Sequence, residues 1–260
     1  MKTVGIDLAA RDENTAMCVI DWSAREARVQ VPTVGHDDDA LIAAISESDR
    51  AGIDAPFGWP QAFADAVTAH QARKAWPGSE KELRALAEDR VRYRNRLAYR
   101  LTDLAVIDDP KLAVRPLSVS TDRIGVTTFR CALLLDRLAN EKGLEVDRSG
   151  RTGTVAEVYP AAALNAWRME HKGYKRGAGR PARRELVEQL RGRLGRGLGS
   201  SAREACEASD HALDALIAAL VARAVAVGRT RAPDAELASA AQAEGWIHVP
   251  TCGVAELREP

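Results

Sequence analysis

The sequence has no excess of charge of either sign, since its 37 lysines and arginines balance its 37 aspartates and glutamates. A protein that coats nucleic acid non-specifically usually carries a basic excess, because phosphate neutralisation dominates its affinity. The balance therefore argues against a coating role, although it leaves room for a local basic groove. Aromatic residues are also scarce, at 5%, so we expect a core built from aliphatic side chains.

Paired cysteines and long apolar segments are missing as well. The four cysteines, Cys18, Cys131, Cys206 and Cys252, are far apart and form no C-x-x-C pair. Neither disulfides nor a structural zinc site is therefore expected. No run of about 18 apolar residues is present, and MKTVGIDLAA passes directly into a strand pattern. These features predict a cytoplasmic protein without a membrane partner.

The first sixty residues carry the periodicity of a β-β-β-α-β unit. Short apolar runs predict strands over Thr3–Ala9, Thr15–Trp22 and Ala27–Val31, separated by short polar turns. Asp37–Asp49 predicts a helix, and Gly52–Ala55 predicts a fourth strand that ends before Pro56. This order is typical of a mixed sheet in an α/β protein.

The order also predicts where two aspartates lie. Three antiparallel strands followed by a crossover helix place the fourth strand parallel to the first. Asp7 and Asp54 stand at corresponding ends of these two strands. We therefore expect the two carboxylates to face each other across a few ångströms.

The rest of the chain is mainly helical in pattern. Residues 61–145 predict an α-helical insertion within a single domain of residues 1–260, with helices over Ser79–Leu104 and Thr128–Lys142 and a break at Pro116–Ser120. Strand character returns at Thr154–Tyr159 and is closed by Pro160, after which a helix is expected from Ala161.

The C-terminal third contains a basic stretch and a long apolar helix. Glycines interrupt the arginines and lysines of Arg168–Arg196, which predicts a partly mobile loop that could follow a phosphate backbone or simply be solvated. Ala202–Val227 predicts a single long helix. Asp234–Ala243 predicts a short helix, and Trp246–Val249 is a candidate last strand.

Five acidic residues stand in apolar surroundings: Asp7, Asp54, Glu157, Asp210 and Asp214. Burying a carboxylate costs several kcal/mol unless it is paired, hydrogen-bonded or bound to a metal. Carboxylates that converge from separate elements repel one another, so a divalent cation is their natural partner. The spacing of the last two places both on one helix face, although Asp210 could equally be a simple helix cap.

Six motifs then occur in order along nearly the whole chain: GIDLA, GIDAPFGWP, RLTDLAV, PLSVSTDRIG, EVYPAAAL and SDHALDALIAAL. Together they resemble domain-of-unknown-function family 429, which is described as predicted nucleases of the ribonuclease H fold. DHALDAL is also similar to the end of Holliday-junction resolvases. The resemblance implies an α/β fold with a ribonuclease H-like mixed five-stranded sheet, flanked by helices and carrying the α-helical insertion.

The resemblance also implies a site and a reaction. Asp7 would bridge two metal ions, Asp54 would be the acid of the fourth strand, and Asp210, Asp214 or both would come from the last helix. Glu157, in E-x-Y-P, would be a further ligand or a substrate contact. The implied reaction is hydrolysis of phosphodiester bonds in a nucleic acid or a small phosphorylated substrate, with Mg²⁺ or Mn²⁺ at an all-oxygen site.

Further polar residues are candidates for substrate binding: Arg100, Thr102, Asp103, Ser118, Ser120, Asp122 and Tyr159. A guanidinium can clamp a phosphate and hydroxyls can hydrogen-bond a substrate, while helix capping and loop bonding explain the same residues equally well. His211 could be a general acid or an outer group of the site, but a structural role is more usual for a single histidine on a packed helix.

A different class of function also fits the sequence. A binding or regulatory protein could retain the fold and the acids without catalysing a reaction, and the neutral net charge favours it over a non-specific nuclease. An actin-like phosphotransferase is disfavoured, because the turn AARDEN after the first strand has no glycine. The oligomeric state stays open.

Overall fold

The computed structural model describes residues 1–23, 26–77, 95–120, 122–170 and 172–258. Within this part of the chain, a mixed sheet of seven strands is flanked by nine α-helices. The strands are β1 (Lys2–Asp7), β2 (Ala16–Trp22), β3 (Ala27–Val29), β4 (Thr33–Val34), β5 (Arg50–Asp54), β6 (Val155–Val158) and β7 (Ile247–His248). The helices are α1 (Asp38–Ser46), α2 (Gln61–Gln71), α3 (Leu101–Ile107), α4 (Gly125–Asn140), α5 (Pro160–Ala166), α6 (Arg180–Leu194), α7 (Ser200–Ala208), α8 (Asp210–Ala226) and α9 (Ala238–Glu244).

The sheet runs in the order β3-β2-β1-β5-β6-β7, and β4 pairs with β2 beside this path. The first three strands are antiparallel to one another, whereas β1, β5, β6 and β7 are parallel. The predicted parallel pairing of β1 with β5 is confirmed, and the predicted β-β-β-α-β order holds apart from the additional two-residue strand β4 before α1. The prediction of five strands is wrong, because two-residue strands, β4 and β7, extend the sheet.

Helices cover both faces of the sheet. On one face, α1 and α4 bury aliphatic side chains such as Ile45 and Leu134 against Val4 and Ile6 of β1. On the other face, α8 packs against the same strands, and residues from β2, α6 and α7 complete its surroundings. Because α8 is apolar on nearly all sides, it lies in the centre of the protein rather than at its surface.

Two glycines allow α8 to approach the sheet closely. A Cβ atom on Gly5 of β1 would overlap the carbonyl oxygen of Ala215, and one on Gly52 of β5 would overlap that of Ala218. Backbone therefore meets backbone at this contact, which only residues without a side chain permit. The Thr3 hydroxyl donates to the Ala219 carbonyl at 3.1 Å and fixes the same contact.

Several predicted boundaries differ from those of the structure. The predicted helix over 202–227 is two helices, because the Ser209 hydroxyl accepts a hydrogen bond from the Ala212 amide and starts α8 anew. Residues 180–194 of the basic stretch 168–196 form the regular helix α6, and the described glycine-containing residues 172–179 before it form no α-helix. Most of the helix predicted over 79–104 lies outside the described residues, and residues 95–100 are not helical.

Between β5 and β6 the described residues contain α2, α3 and α4 and no strand, in line with the predicted helical segment. Within the described residues, no helix combines the length and the apolar character that crossing a membrane requires.

Candidate metal centre

Asp7 and Asp54 end the neighbouring parallel strands β1 and β5. The two residues are paired in the register, as the strand order predicts. Side chains alternate along a strand, so Asp7 lies on the same face as Gly5, and Asp54 lies on the same face as Gly52. Both carboxylates therefore point to the face that α8 covers.

Asp214 of α8 completes an acidic group, which we call the aspartate cluster (Asp7, Asp54 and Asp214). One oxygen from each carboxylate lies within 4.8 Å of the other two. Asp214 is fully buried, at 0% exposure, because the close approach of α8 leaves no room for solvent around it. Three separate elements thus bring three negative charges together.

Basic and hydroxyl groups surround this cluster. The Lys175 ammonium bonds to Asp214 Oδ2, and the Tyr174 hydroxyl donates to Asp214 Oδ1 at 2.8 Å. His211 Nδ1 lies 2.5 Å from Asp7 Oδ2. No hydrogen bond within the described part of the chain reaches the Asp54 carboxylate.

The proton affinities of the acids reflect this crowding. Burial, and then the charges of Asp7 and Asp214, raise the pKa of Asp54 well above its usual range. Burial raises the pKa of Asp214 to about 6, although Lys175 opposes the shift. Because the three carboxylates repel one another when they are ionised, a bound cation would stabilise their charged forms.

The basic groups shift in the complementary direction. Burial alone would lower the pKa of the Lys175 ammonium, but the charges of Asp214, Asp54 and Asp7 outweigh it and raise that pKa. The hydrogen bond to Asp7 raises the pKa of His211. Both side chains therefore favour their charged forms beside the aspartates.

Asp210 does not join the aspartate cluster, which takes only one member of the predicted pair on α8. It is the first residue of the helix, and its Oδ2 accepts a hydrogen bond from the Arg176 amide at 3.0 Å. Burial would raise the pKa of Asp210, but that amide and the nearby charges lower it. Asp210 therefore fixes a neighbouring loop instead of adding a fourth charge to the cluster.

Glu157 lies on the opposite face of the sheet, which contradicts its prediction as a metal ligand. In the register of β5 and β6 it pairs with Ile53, one residue before Asp54, and side chains one residue apart point to opposite faces. Val158 is the residue of β6 that faces α8. The alternation of the strand thus removes Glu157 from the aspartate cluster.

Arg100 forms buried ion pairs with Glu157 and Asp103. Its guanidinium donates to both carboxylate oxygens of Glu157, at 2.8 and 2.7 Å, to both of Asp103, and to the Glu244 carbonyl. These bonds use all five N–H groups of an arginine, and the side chain is only 2% exposed. Asp103, which is 1% exposed, is likewise held in these ion pairs. That Arg100 and Asp103 bind substrate stays a prediction.

The remaining predicted substrate residues bond mainly to the chain itself. The Thr102 hydroxyl accepts from the Ile247 amide at 2.7 Å, and the hydroxyls of Ser118 and Ser120 donate to the Ala98 and Leu97 carbonyls. The Asp122 carboxylate accepts from the Ser118 amide at 2.7 Å. Loop bonding is thus the role that the structure gives these four side chains.

A cavity of about 350 Å³ opens beside the cluster at the carboxyl edge of the sheet. Its lining includes Asp7, Asp54, Lys175, Leu117 and Tyr159, together with Arg100, Asp103 and Glu157 of the buried ion pairs. Burial raises the pKa of the Tyr159 phenol to about 12, so the hydroxyl stays protonated. Three of the predicted substrate residues, Arg100, Asp103 and Tyr159, therefore line the cavity beside the acids.

The aspartate cluster suits a hard divalent cation. All of its ligand atoms are carboxylate oxygens, which Mg²⁺ and Mn²⁺ prefer over softer ligands. Oxygens bound to one Mg²⁺ at about 2.1 Å stand no more than about 4.2 Å apart. A separation within 4.8 Å therefore needs only small side-chain rotations to admit an ion.

Two of the surrounding groups, His211 and Lys175, were not assigned to the site from the sequence. His211 and Asp214 are three residues apart on a helix, a spacing that also places two side chains on one face, so a signal was present. Lys175 is one of many basic residues between glycines, and nothing in that pattern distinguishes it. Its place beside Asp214 depends on contacts between distant segments.

Comparison with curated proteins and with solved structures finds no match. Residues 5–238 match the family described as protein of unknown function (DUF429), and this span includes all three members of the aspartate cluster. The match covers most of the chain, and the protein therefore belongs to this family of unknown function.

Proposed function

We propose that the protein is a divalent-metal-dependent hydrolase of phosphodiester bonds, a nuclease or phosphoesterase of ribonuclease H-like architecture. The observation that carries the proposal is the aspartate cluster, in which three carboxylates from β1, β5 and α8 lie within 4.8 Å of one another. The antiparallel β1, β2 and β3, extended by parallel β5 and β6, support the architecture that the six sequence motifs imply.

The chemistry follows from the cluster and its neighbours. A bound Mg²⁺ or Mn²⁺ supplies Lewis acidity and lowers the pKa of bound water. Asp7, Asp54 and Asp214 would hold it, and His211 orients Asp7 through its 2.5 Å bond. The half-exposed Lys175 side chain, at 52% exposure, adds positive charge where an anionic phosphate would enter.

The cavity gives the substrate a limited space. Its volume of about 350 Å³ is near the lower end of the range for small-molecule pockets. Apolar Leu117 and the Tyr159 ring stand within the same cavity as the acids. A nucleotide unit or a small phosphorylated molecule fits this combination of an acidic part and an apolar part.

The test is cleavage by the purified chain of single- and double-stranded DNA, RNA and bis-p-nitrophenyl phosphate, with Mn²⁺, Mg²⁺ or EDTA. We expect metal-dependent cleavage of at least one substrate, reduced at least about a thousandfold in Asp7→Asn, a loss typical of removing a group that stabilises transition-state charge. Asp39→Asn is the matched control, because Asp39 is 80% exposed on α1 and the change in charge is the same.

Two results would count against the proposal. Full activity in a folded Asp7→Asn variant would remove the cluster from the reaction. Metal-dependent binding of an oligonucleotide without cleavage of any substrate would favour the alternative of a catalytically silent binding or regulatory protein.

A further inference from the structure

The backbone around Lys175 is held rigidly at residues 174–176. The guanidinium of Arg183, which is 2% exposed, donates to the Tyr174 carbonyl at 2.8 Å and to the Arg176 carbonyl at 2.6 Å. Its other nitrogens donate to the Glu207 and Ala208 carbonyls, just before α8 begins. A buried arginine thus ties the two neighbours of Lys175 to the end of α7, directly before the helix that carries Asp214.

One further contact and an unusual backbone angle mark the same segment. The Arg176 amide donates to Asp210 Oδ2 at 3.0 Å, and Arg176 has a φ of 63°, an unusual backbone angle for a residue with a side chain. Such a conformation persists only where the surroundings impose it. Lys175 is therefore a positioned residue, not a surface lysine that meets Asp214 by chance.

The bonds within the cluster divide the three aspartates into two kinds. Both oxygens of Asp214 already have partners, the Lys175 ammonium and the Tyr174 hydroxyl. Asp7 uses one oxygen for His211, and Asp54 uses none within the described residues. The free ligand atoms are thus concentrated on the two strand ends, Asp7 and Asp54.

The charges lead to the same division. With Lys175 and His211 in their charged forms, the three carboxylates leave one negative charge. One divalent ion brings the group to a net charge of +1, whereas two divalent ions beside Lys175 would bring it to +3 in a largely buried group. Like charges a few ångströms apart in such surroundings repel strongly.

We propose that Lys175 is the second cation of this site: one divalent ion binds between Asp7 and Asp54, while the Lys175 ammonium stays on Asp214. The inference rests on the proposed function. It narrows the ligands of the ion to Asp7 and Asp54, and it replaces the two-ion arrangement that the family resemblance implies by one ion and one positioned lysine. Lys175 would thereby neutralise negative charge as a second metal ion would. Asp214 would keep its bond to the ammonium and would not bind a metal ion.

The first experiment counts the ions on the unaltered protein. Isothermal titration calorimetry with Mn²⁺ should give one tight site per chain, and electron paramagnetic resonance should show an isolated Mn²⁺ signal. An exchange-coupled signal from two neighbouring Mn²⁺ ions would overturn the inference. This measurement needs no variant, so it decides the question even if the substitutions below fail to fold.

The second experiment removes the ammonium with Lys175→Met, which keeps the length of the side chain. We expect either a second Mn²⁺ per chain or Mn²⁺ binding at least about tenfold tighter, because a competing charge has been removed. Lys172→Met is the control, since Lys172 is exposed three residues away, and it should leave the titration unchanged. A folded Lys175→Met variant with an unchanged titration would contradict the proposal.

Failure of this inference is distinguishable from failure of the proposed function. Two bound ions together with metal-dependent cleavage would overturn only the role of Lys175. A chain that binds no Mn²⁺ and cleaves no substrate would overturn both.

Discussion

The two faces of the sheet treat the same type of residue in opposite ways. Parallel strands β1, β5 and β6 each carry a carboxylate near the same edge, at Asp7, Asp54 and Glu157. On the α8 face the acids repel one another, and on the other face Arg100 forms ion pairs with Glu157 and Asp103. The comparison indicates that a buried carboxylate is evidence for a functional site only where its charge is incompletely paired.

The paired face is expected to contribute to stability rather than to chemistry. Cys131 of α4 lies near the same ion pairs, and burial together with the charge of Glu157 raises the pKa of its thiol. The aspartate cluster, by contrast, costs stability unless a cation is bound, because its charges oppose one another. Three predictions test this contrast, in order of decreasing effect.

The largest effect is expected from breaking the paired face with Arg100→Met. Glu157 and Asp103 would then be buried without a counter-charge, so the free energy of unfolding should fall by about 3–5 kcal/mol. Urea denaturation followed by circular dichroism measures this loss. Arg11→Met is the control, because Arg11 is 76% exposed and pairs only with exposed Glu13. A stability equal to that of the control would mean that the ion pairs are unimportant.

Removing a charge from the aspartate cluster should increase the free energy of unfolding. Asp54→Asn relieves repulsion from Asp7 and Asp214, so metal-free protein should gain about 1–2 kcal/mol of stability. The same variant should lose the increase in melting temperature that Mn²⁺ gives the unaltered chain. Thermal denaturation with EDTA and with Mn²⁺ measures both effects. A less stable variant that still responds to Mn²⁺ would contradict the contrast between the faces.

The pH dependence of metal-free protein should show a smaller effect. The pKa of Asp214 is raised to about 6 when folded, so the folded state holds this proton more tightly than the unfolded state. The stabilisation that comes from protonated Asp214 is present at low pH and is lost as the pH rises through about 6. Relative to Asp214→Asn, the unaltered chain should lose on the order of 1 kcal/mol between pH 5 and pH 7.5. Urea denaturation at both pH values tests this, and equal pH dependence in the two proteins would contradict it.

The sequence alone was sufficient for the part of the site that depends on strand order. The short turns and the single crossover helix determine that β1 and β5 are parallel neighbours, and this placed Asp7 opposite Asp54. The apolar surroundings of Asp214 indicated a helix packed on the sheet, as observed. Local patterns were enough here because the connections are short and leave few topologies open.

Glu157 and Lys175 could not be assigned in this way. Both faces of β6 are buried, so VAEV shows no alternation that would reveal which face the glutamate occupies. Lys175 is positioned by Arg183 and Asp210, which are distant from one another in sequence. Likewise, Arg100 seemed available for a phosphate because its partners Glu157 and Glu244 come from other parts of the chain.

The glycine contact between α8 and the sheet has a use in interpreting related chains. Because Gly5 and Gly52 let backbones touch, no change of rotamer can compensate for a larger residue at either position. In a relative with alanine or a bulkier residue at either position, the helix that corresponds to α8 must move outward. The aspartate that corresponds to Asp214 would then separate from those that correspond to Asp7 and Asp54. Glycine at these two positions therefore offers a criterion for deciding which members of the family retain a compact aspartate cluster.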